Sequence, residues 1–296
     1  MNDPGGTRVA VYIDFDNIVI SRYDQVHGRG QFQRDKVRGF GRGDKSADPE
    51  LAEKVRRATV DVGAVIDFAS SFGTLVLTRA YADWSADINS DYQGQLVGRA
   101  VDLVQLFPAA AYGKNGADIR LAVDTVEDMF RLPDLTHVVI AAGDSDYIPL
   151  AQRCKRLGRY VVGVGVAGSS SRALAAACDE FVVYDALPGV PVPEPAPTKA
   201  APKQRVRANA ADAEEPPSPD PQAAATDLLT RALRMGLEKD DVDWLHNSAV
   251  KAQMKRMDPS FSEKSLGFKS FSDFLRSRSD IAELDESSTT RMVRLR

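Results

Sequence analysis

The sequence predicts an α/β domain with a mainly parallel sheet flanked by helices, followed by a linker and a small α-rich domain. Three observations predict this. Short apolar runs alternate with helical patterns through residues 1–187, a proline- and alanine-rich stretch follows, and the remainder contains three short helical patterns. Near-continuous apolar strands alternating with helices are typical of a parallel sheet covered on both faces.

The predicted elements of the first domain alternate along the chain. Strands are expected at residues 8–13, 74–81, 100–107, 137–142, 159–166 and 181–184, and helices at 50–71, 117–130, 146–158 and 170–177. In such folds ligands bind at the carboxyl ends of the strands, where the chain order reverses. The polar residues that directly follow strands are therefore the first candidates for a site.

A change of composition marks the domain boundary. Residues 188–222 hold ten of the sixteen prolines and no aromatic residue. Such a segment buries too little apolar surface to offset the entropy of ordering, so we expect an extended, mobile linker. The predicted organisation is a domain at 1–187, a flexible linker at 188–225 and a small domain at 226–296. In the last, helices are expected at 226–236, 242–257 and 268–277, with a closing strand at 291–296.

Several classes of protein are excluded by composition. No apolar run approaches the roughly 18 to 20 residues that cross a bilayer, and the polar start of the chain has no secretory pattern. Cys154 and Cys178 both lie in segments with helical patterns, and His27, His137 and His246 are far apart. We therefore expect neither a disulfide framework nor a zinc motif. We expect a cytoplasmic location without membrane association. Any bound metal would take oxygen ligands, which favours Mg²⁺ or Mn²⁺.

Charge is distributed unevenly despite a net charge of −4. Residues 1–187 contain 21 Lys and Arg against 25 Asp and Glu, and residues 226–296 contain 13 against 12. Between Arg29 and Lys45 there are six basic residues and two acidic ones. A basic patch beside an acidic pocket is compatible with phosphate binding, although a charge run is more often a solvated loop.

Carboxylates follow two of the predicted strands and open one predicted helix. Asp14 follows the first strand, Asp144 and Asp146 follow the fourth, and Asp118 begins the helix at 117–130. Clustered carboxylates repel one another, which raises their pKa values unless a cation neutralises them. A hard divalent ion at such a cluster lowers the pKa of a water and stabilises charge on a phosphate during in-line displacement.

Capping is the competing interpretation for each of these residues alone. An aspartate after a strand is often a helix N-cap, and Asp118 and Asp146 fit that interpretation well. Asp124, six residues after Asp118, does not share a helix face with it and is the weakest member of the set. The joint pattern of acidic residues favours a site over isolated caps.

These motifs resemble a known family. VAVYIDFDNI, RAYADWS, KNGADIRLAVDTVEDM and VVIAAGDSDYIPLAQRCKRLGRYVVGVG resemble, in this order, the NYN domain of the LabA-like PIN superfamily over residues 8–186, interrupted by a polar insert near 22–48. The resemblance implies a PIN-like fold and an Mg²⁺- or Mn²⁺-dependent nuclease acting on RNA. By position, the catalytic and metal-binding residues would be Asp14, Asp118, Asp144 and Asp146. Residues with secondary roles would be Asp16, Asn17 and Asp124.

The last domain has a resemblance of its own. DVDWLHNSAVKAQMKRMDPSFSEKSLGFKSFSDFLRS resembles the OST-HTH/LOTUS module, a small winged helix-turn-helix. The resemblance implies RNA binding, although some such modules bind protein partners. Most of its apolar residues are expected in the core, namely Trp244, Leu245, Phe261, Phe268, Phe271, Phe274 and Leu275. The expected phosphate contacts are Lys251, Lys255, Arg256, Lys264 and Lys269, with Arg276 and Arg278 as further exposed candidates.

Two weaker signals remain open. GVGVAGSSS, at 163–171, could contact phosphate through backbone N–H groups, but it lacks the spacing of a nucleotide-binding loop, so a plain turn is favoured. Trp84 fits a position on the rim of the site or in the core equally well.

The leading hypothesis is a metal-dependent ribonuclease whose second domain recruits single-stranded or structured RNA, with no cofactor beyond Mg²⁺ or Mn²⁺. One alternative is a non-catalytic RNA-binding regulator on a PIN-like scaffold. A second is a HAD-type phosphatase, because DFDN and GDSD are superficially similar to its motifs, although KNGAD has no place in that chemistry. Endonucleolytic or exonucleolytic action, activity on DNA, the RNA target and homo-oligomerisation stay open.

Overall fold

The computed structural model describes residues 6–41, 48–107, 116–170, 172–191, 220–240, 243–286 and 291–296. The chain divides into two compact units, Met1–Ala196 and Pro197–Arg296, which are described in turn. Most of the predicted linker, residues 192–219, lies outside the described residues. No helix in the described ranges is both long enough and apolar enough to cross a membrane.

Strands and helices alternate through the first unit. The strands are β1 (Arg8–Asp14), β2 (Thr74–Ala82), β3 (Asp102–Gln105), β4 (His137–Ala141), β5 (Tyr160–Gly165) and β6 (Glu180–Val183). The helices are α1 (Phe15–His27), α2 (Gln31–Arg34), α3 (Pro49–Arg57), α4 (Val62–Ser70), α5 (Asp87–Ser90), α6 (Gln93–Val97), α7 (Gly116–Arg131), α8 (Ile148–Arg156) and α9 (Arg172–Ala177). Short 3₁₀ turns lie at Val37–Gly39, Ser145–Tyr147 and Tyr184–Ala186.

The sheet confirms the predicted parallel architecture. Its strand order is β3-β2-β1-β4-β5-β6, and every neighbouring pair is parallel. The chain moves outward from β1 in one direction and then returns to place β4 on its other side. The order therefore reverses between β1 and β4, which is where this class of sheet binds its ligands.

Helices cover both faces of this sheet. Side chains alternate between faces along a strand, so Val9, Val11 and Ile13 of β1 enter a core that includes residues of α1, α3 and α4. Ala10 and Tyr12 enter the opposite core, with residues of α7 and α8. By the same alternation Asp14 follows Tyr12 and lies on the α7 and α8 side of the sheet.

The segment expected as an insert near 22–48 belongs to the folded unit. α1 continues to His27, and α2 and a 3₁₀ turn follow. Arg22 is only 2% exposed, and it forms an ion pair with Asp185 and donates to the backbone oxygen of Pro191 at 3.0 Å. The start of the predicted linker is therefore held against the first unit. Residues 42–47 lie outside the described residues.

The glycines of β5 have a packing role. A Cβ at Gly163 would lie 2.5 Å from Phe181, and one at Gly165 would lie 2.2 Å from the Oγ of Ser170. Glycine at these two positions lets Phe181 and the turn after β5 pack directly on the strand. The repeated glycines are explained by this packing.

The second unit combines helices with a small antiparallel sheet. Its helices are α10 (Pro221–Asp240), α11 (Asn247–Met257) and α12 (Phe271–Arg276), and its strands are β7 (Leu245–His246), β8 (Ala282–Asp285) and β9 (Met292–Leu295), in the order β7-β9-β8. The closing strand expected at 291–296 is confirmed by β9. Two expectations differ: α10 begins inside the predicted linker, and Leu245 pairs with Val293 in a strand instead of lying in a helix.

Candidate functional site

Asp14 ends the central strand β1 at the point where the strand order reverses. It is 3% exposed, and its Oδ1 accepts a hydrogen bond from the backbone N–H of Asn17 at 3.1 Å. It is therefore the N-cap of α1. The register pairs Ile13 with Ala141 of β4, so the residues after β4 lie beside Asp14.

Tyr147 contacts the other oxygen of Asp14. Its hydroxyl donates to Oδ2 at 2.8 Å, and the ring is buried. Burial raises the pKa of Asp14 to about 7, against the lowering effect of the hydrogen bonds from Tyr147 and Asn17. Negative charge on Asp118 and Asp16 raises this pKa further.

Asp118 lies in the first turn of α7 and interacts with the same groups. Its pKa is raised, chiefly by burial and also by the charges of Asp144 and Asp146, while hydrogen bonding with Tyr147 and Asp14 lowers it. Carboxylates affect one another in this way only at short range. Asp118 therefore lies near Asp14 and also near Asp144 and Asp146, and we call these four residues the acidic cluster.

Asp144 and Asp146 form the more accessible side of the acidic cluster. Asp144 is half-buried, and its Oδ1 accepts from the backbone N–H of Asp146 at 3.2 Å and from Ser145 Oγ at 3.4 Å. Asp144 therefore caps the 3₁₀ turn, whereas Asp146 is exposed within it. In the competing interpretation Asp118 and Asp146 are the candidates for capping, but the side-chain caps are Asp14 and Asp144, because these residues directly precede the first turns.

Asn17 ties α1 to the loop after β4. Its Oδ1 accepts from the backbone N–H of Gly143 at 3.1 Å. A Cβ at Gly143 would also come within 3.5 Å of the backbone oxygen of Ser169, so the turn after β5 borders the same place. Asn17 therefore fixes the position of the acidic cluster without being one of its carboxylates.

Asp16 joins α1 to the end of β2. Its Oδ2 accepts from the backbone N–H of Asp83 at 3.1 Å, and its Oδ1 accepts from Asn89 Nδ2 at 2.6 Å. Asp83 is 6% exposed and pairs with Arg38 at 2.7 Å. Burial by itself raises the pKa of Asp83, but hydrogen bonds from Ser85, Arg38 and other groups bring it down to about 2.

Asp124 belongs to a different set of contacts on α7. Arg120 donates to both of its oxygens, at 2.9 and 3.0 Å, and the Tyr81 hydroxyl donates to Oδ2 at 3.1 Å. One turn further on, Asp128 accepts from the Tyr12 hydroxyl at 3.0 Å. These contacts join α7 to β1 and β2. Asp124 therefore has a structural role in holding α7 against the sheet.

The donor atoms of the acidic cluster are all carboxylate oxygens, which suits Mg²⁺ or Mn²⁺. Within the described ranges no three His, Cys, Asp or Glu side chains are already arranged as a metal site. Mg²⁺ keeps several waters and takes only one or two carboxylates directly, so the residues fit such an ion without a complete protein cage.

The basic residues expected in the second unit differ in their surroundings. Lys251 is half-buried and pairs with Glu263, which is 6% exposed. Lys255 is also half-buried, whereas Arg256, which contacts Gln253, is exposed. Lys264 and Lys269 are exposed. Lys251 thus has a structural partner, and the exposed set is the better placed for phosphate.

Arg278 was expected to be exposed and is buried, at 8% exposure. Its guanidinium lies 5.1 Å from the ring centre of Phe268 and 4.7 Å from that of Phe274. It also contacts Thr226 and Gln222 of α10. Arg278 lies two residues after the end of α12 and packs on the aromatic core. The charge of an arginine does not by itself predict such packing.

Two side chains that contact carboxylates at this edge of the sheet were not identified from the sequence. Tyr147 is adjacent to Asp146, but a tyrosine beginning a helix does not reveal a contact with β1. Arg38 is far from Asp83 in sequence and meets it only in the fold. Trp84, left open between rim and core, is 5% exposed, and its Nε1 donates to the Val104 oxygen at 3.0 Å.

Two domain families match this chain. The NYN domain model matches residues 8–185, and the OST-HTH/LOTUS domain model matches residues 218–294. No curated protein matches the chain. A crystal structure of a protein of unknown function from Vibrio parahaemolyticus is 20% identical, covering 62% of this chain and 96% of that one, with a TM-score of 0.40. The chain belongs to the NYN domain family and carries an OST-HTH/LOTUS domain in its C-terminal part.

Proposed function

We propose that the chain is a divalent-metal-dependent ribonuclease whose OST-HTH/LOTUS domain recruits RNA. The observation that carries the proposal is the acidic cluster at the point of strand reversal, where Asp118 of α7 raises the pKa of buried Asp14, and the charges of Asp144 and Asp146 after β4 raise the pKa of Asp118. The NYN match supports nuclease chemistry, since NYN domains are PIN-like nuclease domains. The OST-HTH/LOTUS match supports RNA as the substrate.

Asp14, Asp118, Asp144 and Asp146 would hold Mg²⁺ or Mn²⁺. Bound there, the ion supplies a water of lowered pKa and positive charge opposite the phosphate. Asp14 is the buried member, and its raised pKa reflects burial and negative neighbours that a cation would compensate. Asp144 and Asp146 are the members nearest to solvent, where a phosphodiester enters.

The remaining polar residues have positioning roles. Tyr147 and the Asn17 backbone hold the two oxygens of Asp14, and the Asn17 side chain holds the loop after β4. Asp16 fixes α1 against β2 through Asp83 and Asn89. Preorganised carboxylates lose little further freedom when an ion and a phosphate bind, which favours catalysis.

In the second domain, we propose that Lys264, Lys269 and Arg256 make the principal phosphate contacts, with Lys255 and Lys251 contributing less because they are half-buried. Binding through such contacts releases counterions and weakens steeply with salt.

The phosphatase alternative gains nothing from the contacts of Asp16. In that chemistry Asp14 would be the nucleophile and Asp16 the second carboxylate, which must be free to transfer a proton. Both oxygens of Asp16 instead accept hydrogen bonds, from Asp83 and Asn89. The non-catalytic regulator differs from the nuclease in one measurable respect: it requires neither divalent binding nor cleavage.

The test is cleavage of labelled single-stranded and structured RNA by the full chain, with Mn²⁺, with Mg²⁺ and with chelator. Asp144→Asn should reduce the rate at least about a hundredfold, since a preorganised charge is lost from the site. Asp67→Asn is the matched control, because Asp67 is exposed on α4, which ends just before β2 at the opposite edge of the sheet. Tight RNA binding without metal-dependent cleavage, together with no Mn²⁺ binding by calorimetry, would overturn the proposal in favour of the regulator.

A further inference from the structure

The segment between α1 and the undescribed residues 42–47 is built into the first unit. The Asp24 carboxylate accepts from the backbone N–H groups of Gly30 at 2.6 Å and Phe32 at 2.8 Å. Phe32, Val37 and Phe40 are 4%, 1% and 6% exposed and belong to the main core. A solvated loop makes no such contacts, so the basic side chains on this segment project from fixed backbone positions.

Arg38 places this segment at the carboxyl end of the sheet. It contacts Asp83, the residue directly after β2, and the Asp83 backbone in turn contacts Asp16. Asp14 pairs in register with Tyr81, so Asp83 lies just beyond Asp14 along the strand direction. Arg38 therefore lies at the same edge of the sheet as the acidic cluster, and Arg29, Arg34 and Lys36 precede it on the same packed segment.

The charges on this segment face solvent. Arg29, Arg34 and Lys36 are exposed and form no ion pair with any residue that the structure describes. The Arg38 side chain is 49% exposed although it contacts Asp83. A guanidinium has five N–H donors, so a single carboxylate leaves donors of Arg38 free for a phosphate.

Positive charge beside the acidic cluster would favour the binding of a polynucleotide. The acidic cluster repels every phosphate of a polynucleotide except the one that a bound cation neutralises. A positive surface at the same edge attracts the neighbouring phosphates and raises the local concentration of the substrate. Such contacts follow the backbone and are independent of base sequence.

We propose that Arg29, Arg34, Lys36 and Arg38 form a basic lip that binds the phosphate backbone of single-stranded RNA beside the acidic cluster. This inference rests on the proposed ribonuclease function. It assigns RNA contacts to the NYN unit itself, in addition to those of the second domain.

The test compares Arg29→Ala/Arg34→Ala with Arg153→Ala/Arg156→Ala in the full chain. Arg29 and Arg34 are chosen because neither supports a buried carboxylate, unlike Arg38. Arg153 and Arg156 are exposed in the last turn of α8, toward the opposite edge of the sheet, and remove the same charge. All proteins carry Asp144→Asn so that the RNA stays intact, and Lys264→Ala/Lys269→Ala so that the second domain contributes less.

Binding of a labelled single-stranded RNA is measured by fluorescence anisotropy at several salt concentrations. The basic-lip variant should bind about tenfold more weakly or worse, and its salt dependence should be shallower by about 1.4, from about 0.7 for each of two lost phosphate contacts. Unchanged thermal melting excludes misfolding. The control should bind as its parent does. Equal affinity and equal salt slope for the two variants would overturn the proposal.

The outcomes separate this inference from the ribonuclease proposal. If wild-type protein cleaves RNA and the basic-lip substitutions change neither the affinity for RNA nor its salt dependence, the basic lip is wrong and the nuclease stands. If wild-type protein cleaves no RNA while the basic-lip variant alone loses binding, the surface stands and the nuclease is wrong. If the basic-lip substitutions changed the binding of a protein partner and left RNA binding unaltered, the basic lip would also be wrong.

Discussion

The Tyr147 hydroxyl donates to Asp14 Oδ2 at 2.8 Å, joining the turn after β4 to the end of β1. Tyr147 is 1% exposed. Burial and then the charges of Asp14 and Asp118 raise the pKa of Tyr147 far above its usual range. The phenol therefore stays protonated and remains a hydrogen-bond donor to Asp14 throughout the working pH range.

We expect Tyr147→Phe to weaken Mn²⁺ binding at pH 6 about tenfold. Loss of the donor raises the pKa of Asp14 above about 7, so protons compete more strongly with the ion. The difference should shrink at pH 9, where Asp14 is deprotonated in both proteins. Calorimetric titration at the two pH values measures this. Tyr184→Phe is the control, because it also removes a buried hydroxyl, one that accepts from the Asp61 backbone at 2.6 Å. Equal Mn²⁺ affinity of the two variants at pH 6 would contradict the prediction.

Asp14 should make the metal-free protein less stable as pH rises. Its folded-state pKa of about 7 lies above the ordinary 3.8, so between these values the folded protein keeps a proton that the unfolded chain has lost. Stability therefore falls as pH rises through that window, by up to about 4 kcal/mol from this group. Asp14→Asn should remove this part of the pH dependence in urea unfolding with chelator present.

Asp67→Asn removes the same formal charge from an exposed position and should keep the wild-type pH dependence. If Asp14→Asn lost as much stability between pH 5 and pH 8 as Asp67→Asn, the assigned pKa of Asp14 would be wrong. Added Mn²⁺ should stabilise the wild type more at pH 8 than it stabilises Asp14→Asn.

Asp128→Ala should destabilise the first unit by about 3 kcal/mol. Asp128 is 4% exposed, accepts from the Tyr12 hydroxyl and pairs with Arg79, so its removal leaves two polar groups beneath α7 without their partner. Glu127→Ala, one residue earlier, removes only an exposed pair with Arg131 and should cost less than about 0.5 kcal/mol. Denaturant unfolding compares them, and similar losses would refute the structural role of Asp128.

Arg278→Ala should lower the melting temperature of the second unit more than Arg276→Ala. Arg278 covers Phe274 and contacts α10, whereas Arg276 makes exposed ion pairs with Asp273 and Glu286. The free energy of unfolding should fall by about 2 kcal/mol more for Arg278→Ala than for Arg276→Ala, because the first change removes packing and buried hydrogen bonds. Calorimetric melting of the full chain resolves the two variants. A larger shift for Arg276→Ala would show that the exposed network dominates.

Local sequence determined the strands of the first unit and the positions of the candidate site residues along the chain. The apolar runs that became β1, β4 and β5 lie within a residue or two of the observed strands, because a strand buried on both faces requires an apolar run. The positions of Asp14 at the end of β1 and of Asp144 after β4 followed from the same runs. The short helices α5 and α6 were not predicted, since four or five residues are too few to show a helical period.

The sequence by itself determined which residue types stand at the strand ends: carboxylates, and hence oxygen donors. Only the tertiary structure decided which of them meet. The order of the strands places Asp14 beside the turn after β4, where Tyr147 binds it, and diverts Asp16 to Asn89 and Asp124 to Tyr81. Neighbours far apart in the chain are fixed by packing across the sheet, and no local pattern encodes that packing.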